Sequence, residues 1–159
     1  MTIRGRWALA AAVVMGAVGW SALILAVPGW RAMGPPRALV ASIVDALADR
    51  VCHQRPERSF FIDGAQMPVC ARCTGLYLSG AAGALVACVV TIGRRVEGAD
   101  DAHRLRWVLM ASALPTAVSW GLEVSGLASP SMVVRAVCAL PLGAVAGWIC
   151  VRVATGALR

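Results

Sequence analysis

The sequence predicts an all-α fold: a polytopic membrane bundle of about four transmembrane helices, with one interfacial amphipathic helix. Three observations predict it. Of 159 residues, 59% are hydrophobic and 14% charged, with a mean hydropathy of +0.73, whereas soluble domains keep about a quarter of their residues charged. Four apolar runs each reach the roughly 20 residues needed to cross a hydrocarbon core. The arginines gather at the ends of those runs. The chain reads as a single membrane domain over residues 1–159.

All fifteen basic residues are arginine, beside abundant Ala, Gly and Val, a composition that suggests a GC-rich bacterial source. The formal net charge of +7 raises nucleic acid as a partner. The arginines, however, form no dense stripe interleaved with aromatics, and snorkelling and orientation account for them. The expected partner is the lipid bilayer, not nucleic acid.

The first span is 7–27, from Trp7 to Val27, twenty-one residues without a charge. Arg4 and Arg6 precede it and Pro28-Gly29 is expected to end it. The run is too long for a secretory signal and no A-x-A cleavage site follows, so it reads as a retained helix. The polar segment 28–72 comes next. After the break Gly34-Pro35-Pro36, the residues Leu39, Val40, Ile43, Val44, Leu47 and Val51 recur at helical spacing, which predicts an amphipathic helix at the interface or packed on the bundle. The second span, 73–92, carries Gly75, Ser79, Gly83 and Ala87 four apart, a small-residue stripe that allows close helix contact. Arg94 and Arg95 close it. A charged loop with Glu97, Asp100, Asp101, His103, Arg104 and Arg106 leads to the third span, 107–127, which holds Pro115. A turn at 128–131 precedes the fourth span, 132–153, with Pro141, Gly143-x-x-x-Gly147 and Arg152.

Arginine counts orient the bundle. The amino-terminal tail has two, the 93–106 loop four, the carboxyl-terminal tail two and the 128–131 turn none, while five in the 28–69 segment are opposed by four acids. The positive-inside rule puts both termini in the cytoplasm and the motif segment outside it, in the cytoplasmic membrane.

The informative stretch is Cys52-His53-Gln54-Arg55-Pro56-Glu57-Arg58-Ser59-Phe60, followed by Pro68-Val69-Cys70-Ala71-Arg72-Cys73-Thr74-Gly75-Leu76-Tyr77. C-x-x-C places two thiols on one turn, and Cys52 with His53 extends them to a Cys₃His set suited to zinc, with iron as the other ion. Adjacent Cys52 and His53 would both have to turn toward one ion. Two other readings stand beside a metal: a thiol/disulfide pair, and buried small hydrophobes that staple a loop. Cys88, Cys138 and Cys150 lie inside apolar spans and read as core residues, and His103 as a solvated loop residue.

The pattern C-H-Q-x-x-x-R-S-F, then P-x-C-x-R-C-T-G-x-Y, resembles the small prokaryotic membrane-protein family catalogued as domain of unknown function 2085. The resemblance covers roughly residues 37 to 148. It implies a multi-helix membrane protein with the polar motif beside its second helix, in which Gln54, Ser59, Thr74, Gly75 and Tyr77 support the motif. It supplies no activity. It also implies an acid and an amide in the third helix and an arginine in the fourth. Arg135 fits the arginine, whereas Ser119-Trp120 depart from the earlier positions and Glu123 stands in for the acid.

Helix polarity makes a further expectation independent of orientation. The 28–69 segment and the 128–131 turn share one side of a four-span bundle, so Arg72, Cys73, Tyr77, Glu123 and Arg135 lie at similar depth in one leaflet. Charges inside a span usually face the bundle interior, which makes Glu123 and Arg135 candidates for a buried pair, with snorkelling of both as the alternative. Arg55, Arg58 and Arg72 add a cationic rim beside the thiols, suited to an anionic lipid headgroup or small anion. Three functions follow. The first is a metal site on Cys52, His53, Cys70 and Cys73. The second is a membrane thiol oxidoreductase on Cys70 and Cys73. The third is an anion-binding or transport component, which would need a homo-oligomer. No G-x-S-x-G or G-x-x-x-x-G-K-[ST] is present, so serine-hydrolase and nucleotide-binding readings fail.

Overall fold

A computed structural model describes residues 2–93 and 102–156. The expected close of the second span at Arg94 and Arg95, and the loop acids Glu97, Asp100 and Asp101, lie outside the described residues. Among the described residues the order is α1 (Ile3–Arg31), α2 (Arg37–Asp49), a 3₁₀ turn (Pro56–Arg58), the strands β1 (Phe61–Ile62) and β2 (Ala65–Gln66), and α3 (Ala71–Gly93), α4 (Ala102–Val124) and α5 (Met132–Ala154). Helices α1, α3, α4 and α5 are long and apolar enough to cross a membrane. Large apolar side chains face outward along them, among them Val89, Leu114, Val118 and Val137. Lipid is the solvent that such a surface requires.

The central pair is α3 and α5, with α1 packed on both and α4 on α5. Small residues set that spacing. A methyl carbon added at Gly83 would lie 2.0 Å from the Ala144 carbonyl oxygen, and one at Gly147 2.0 Å from that of Gly80. The stripe on the second span and the Gly143-x-x-x-Gly147 motif on the fourth are therefore the two sides of one contact. Without a hydrophobic driving force between helices in lipid, such backbone approach is how apolar helices gain cohesion. Arg6 and Gly156 meet at one end of the bundle, and the polar segment occupies the other.

Three boundaries differ from expectation. Helix α1 runs through Pro28 to Arg31. Val27 and Pro28 are buried, and the Arg31 guanidinium bonds the Asp45 carboxylate through two nitrogens at 3.1 and 2.6 Å, so tertiary contacts hold the extra turn. Helix α4 ends at Val124 rather than 127 because Gly126 adopts a left-handed conformation (φ +73°). At its other end α4 begins at Ala102, which makes His103 a helical residue; its Nε2 accepts from the Trp107 indole at 3.2 Å. The amphipathic helix divides its apolar residues. Ala41, Val44 and Ala48 are buried, the first two in one core with Val27, while Leu39, Val40, Ile43 and Leu47, and Val51 just beyond the helix, are exposed.

Candidate metal centre

The site forms where the end of α2, the loop after it and the start of α3 meet. Cys52 follows α2 in a turn, its N–H donating to the Ala48 carbonyl at 2.8 Å. The chain then reverses at Gln54, which takes φ +47°. Its amide donates back to the Asp45 carbonyl at 2.8 Å, and its own carbonyl accepts from the Gln66 amide at 2.6 Å. Ser59 is fully buried; its hydroxyl donates to the Arg55 carbonyl at 2.9 Å and accepts from Gln66 at 3.3 Å.

Gln66 belongs to a two-residue hairpin in which Phe61 pairs with Gln66 and Ile62 with Ala65. Asp63 and Gly64 turn it, both at positive φ, the backbone that a two-residue hairpin favours. The Gln66 carbonyl also accepts from Arg31. One amide side chain thus ties the hairpin to the Cys52–Ser59 loop, and its backbone ties both to α1.

Cys70 precedes α3, and its carbonyl accepts from the N–H of Thr74 at 2.9 Å and its hydroxyl at 3.2 Å. Cys73 lies in the first turn of α3, where free backbone N–H groups favour an anion. The ligand atoms of Cys52, Cys70 and Cys73 all lie within 4.8 Å of one another. Tetrahedral zinc at about 2.3 Å from each sulfur would hold them about 3.8 Å apart, so the triangle closes on an ion with little movement. Their floor is apolar: Ile24, Ala48 and Val69 are buried beneath, with Trp20 and Tyr77 packed edge to face at 6.0 Å. The Tyr77 carbonyl accepts from the Ser21 hydroxyl at 3.1 Å, anchoring α3 to α1.

No disulfide joins any of the six cysteines in the structure. The Cys70 N–H donates to the Cys52 sulfur at 3.1 Å. Hydrogen bonds from the Cys70 and then the Cys73 side chains, joined by that backbone donor, pull the Cys52 thiol far below its usual range, while the same contact with Cys52 pushes Cys70 up. The thiolate is the form in which a cysteine binds metal.

His53 does not join the sulfur group. It is exposed and lines the same cavity of 440 Å³ as the three cysteines, together with Arg55, Arg58, Arg72, Trp120 and Arg135. Neighbouring side chains on a turning backbone diverge, and here the turn directs Cys52 into the core.

Beside the sulfurs, Glu123 of α4 receives three arginines. Arg58 reaches it at 3.0 Å, Arg72 at 3.1 Å and Arg135 at 3.0 Å, and its side chain is 7% exposed. Arg72 also donates to the Ser119 hydroxyl at 3.4 Å, and Arg135 to the Glu57 carbonyl at 3.4 Å. The arginines and the acid are thus joined as one cluster rather than as a lone pair, and the three arginines line one cavity with the thiols. Gly75 carries no chemistry. A methyl carbon there would lie 2.2 Å from the Ala136 carbonyl oxygen, so it lets α5 bring Arg135 close.

Sequence reasoning missed Gln66 and the hairpin, although Asp63-Gly64 is a strong hairpin signal. It also missed Asp45 as a partner of Arg31, which no local pattern marks.

Two relatives match the chain. An uncharacterized protein of Methanocaldococcus jannaschii is 37% identical over 83 residues, covering 52% of this chain and 49% of the relative. One of Methanothermobacter thermautotrophicus is 32% identical over 95 residues, covering 58% of this chain and 78% of the relative. The chain thus spans about half the length of the first, and both relatives are archaeal rather than bacterial. No solved structure matches it. A family described as "Predicted membrane protein (DUF2085)" matches residues 52–149, a range that begins at Cys52 and takes in both other cysteines, Glu123 and Arg135; the chain belongs to the DUF2085 family of membrane proteins.

Proposed function

We propose that this protein is a membrane metalloprotein whose ion, zinc foremost and iron next, is held by Cys52, Cys70 and Cys73. The observation that carries the reading is the convergence of three sulfurs within 4.8 Å from positions 18 and 3 residues apart. Thiolates select zinc or iron over hard cations such as magnesium and calcium. The ion would clamp the loop after α2 to the start of α3, and its fourth position would be left to a ligand from the cavity, because His53 stands outside the sulfur group. An open position on zinc is the arrangement that allows Lewis-acid chemistry. Arginine-weighted ends on the opposite side of the bundle favour an extracytoplasmic site.

Cobalt substitution tests this reading. Cobalt(II) bound by thiolates gives a charge-transfer band whose intensity scales with the number of Co–S bonds, so each single Cys→Ser variant at 52, 70 or 73 should lower it by about a third or abolish it. Cobalt that binds without that band, or a band unchanged in Cys52→Ser, removes the three-sulfur site.

A thiol–disulfide oxidoreductase on Cys70 and Cys73 is the second reading, favoured by the same short separation of sulfurs. It predicts that Cys52→Ala keeps thiol-exchange activity, whereas the metal reading predicts that this variant loses the ion.

A further inference from the structure

The arginines beside the sulfurs exceed what a metal clamp needs. Arg55, Arg58, Arg72 and Arg135 line the cavity with His53, and no carboxylate is among its lining residues. Glu123 bonds three of those arginines from outside that wall. Four guanidiniums against one carboxylate leave a surplus of three positive charges within this group. Cations drawn out of water at a membrane face are costly without a counter-ion, and the surplus here is concentrated on one cavity.

A second observation points the same way. Arg72 Nε is buried and has no hydrogen-bond partner among the described residues, although Nη2 of the same side chain serves Glu123 and Ser119. A guanidinium presents its donors as a planar fork, and Arg72 lines the cavity while its buried Nε is left unsatisfied by protein groups. Carboxylate and phosphate both match that fork. Glu123 already supplies a carboxylate, and a phosphate at about −1.5 to −2 balances more of the remaining surplus than a second carboxylate would. Val51 and Trp120 give the cavity an apolar margin, and Val51 continues the exposed apolar row of α2.

We infer that the cavity binds a phosphate group, carried by a soluble phosphate or by an anionic lipid headgroup, with Arg55 and Arg58 as outer donors and Arg72 as the inner one. The inference rests on the metal reading only in that an ion on the three sulfurs would share the cavity with the phosphate and offer it a fourth ligand position.

The test uses the full chain, purified anaerobically with its metal and placed in phosphatidylcholine nanodiscs. Inorganic phosphate is titrated by calorimetry. In parallel, nanodiscs containing phosphatidic acid are scored for lipid retained on the protein by native mass spectrometry. Arg58→Ala removes the most exposed of the partners of Glu123 (40% exposed) and leaves Arg72 and Arg135 on the acid, and Arg55→Ala removes an exposed lining residue. Each should weaken binding about tenfold or more, whereas Arg50→Ala, exposed and not lining the cavity, should leave it unchanged. Saturable phosphate binding without lipid enrichment identifies a soluble ligand. Retention of phosphatidic acid that phosphate displaces identifies a headgroup.

Metal-loaded protein that binds neither probe overturns the inference and leaves the metal reading standing. So does binding that the Arg55 and Arg58 variants do not weaken, or that Arg50→Ala weakens equally. Phosphate binding that persists in metal-free Cys70→Ser, and is lost in Arg58→Ala, supports the phosphate site independently of the metal. A wild-type protein that binds phosphate and holds no metal upholds this inference while removing the metal reading.

Discussion

The Glu123 cluster makes the sharpest energetic prediction. Glu123→Gln keeps the shape of the side chain and removes the charge shared by Arg58, Arg72 and Arg135. The Glu123 side chain is 7% exposed, and those of Arg135 and Arg72 are 11% and 18% exposed, so two guanidiniums lose their counter-charge in a poorly solvated place. Removing one partner of a buried ion pair costs about 3–5 kcal/mol, because the other charge stays buried and unmatched. Arg58, at 40% exposed, adds little to that figure because solvent screens it. The Arg31–Asp45 pair provides the internal comparison: at 34% and 28% exposed, Asp45→Asn should cost about 1 kcal/mol or less. Replacing both Glu123→Gln and Arg135→Met should cost about 2 kcal/mol less than the sum of the single changes, since the double variant no longer strands Arg135. Reversible unfolding in mixed micelles titrated with sodium dodecyl sulfate, followed by circular dichroism, measures all of these. A Glu123→Gln protein within about 0.5 kcal/mol of wild type, or no less stable than Asp45→Asn, refutes the reasoning.

Further outcomes follow from the same structure. His53→Ala should retain metal at wild-type stoichiometry, read by elemental mass spectrometry, because the imidazole lies outside the sulfur group; loss of the ion would make His53 the fourth ligand. Gly83→Ala should destabilise by about 1–3 kcal/mol, because its methyl meets the Ala144 backbone in the α3–α5 contact. Gly121→Ala, with nothing within 4 Å of the new carbon, should be neutral or stabilising by up to about 1 kcal/mol; equal effects at the two sites would disprove the tight interface. Chelation should expose the amides of the Cys52–Ser59 loop to hydrogen exchange while α3 and α5 stay protected. Protection unchanged throughout would show that no ion clamps that loop.

What could be read from the sequence depended on whether the determinant was local. The four spans follow from length and apolarity, which the bilayer imposes segment by segment. The shared depth of Arg72, Glu123 and Arg135, and with it the Glu123–Arg135 pair, followed from helix polarity alone, with no side-chain information. The small-residue stripes announced a close contact without naming its partner, since Gly83 against Ala144 is a matter of bundle order. Helix α1 outlasted Pro28 because Arg31 finds Asp45, fourteen residues away, and a proline rule sees only its own turn. The gathering of Cys52, Cys70 and Cys73 was legible in their motif. The departure of His53 was not, because it depends on how the backbone reverses at Gln54, a positive-φ residue with no glycine to mark it. That Arg58 and Arg72 join Arg135 on one carboxylate was equally hidden, because the 3₁₀ turn that brings Arg58 over the bundle is positioned by the buried Ser59 and by Gln66 in the hairpin.

The central claim is a metal ion on three thiolates, and its most direct test is metal content and thiol count on one anaerobically purified sample in mild detergent. The account predicts about one zinc or iron per chain, absent from Cys70→Ser, with all six thiols titratable once the ion is chelated. A metal-free protein with two fewer titratable thiols than its six cysteines would contradict it and put a disulfide in place of the ion.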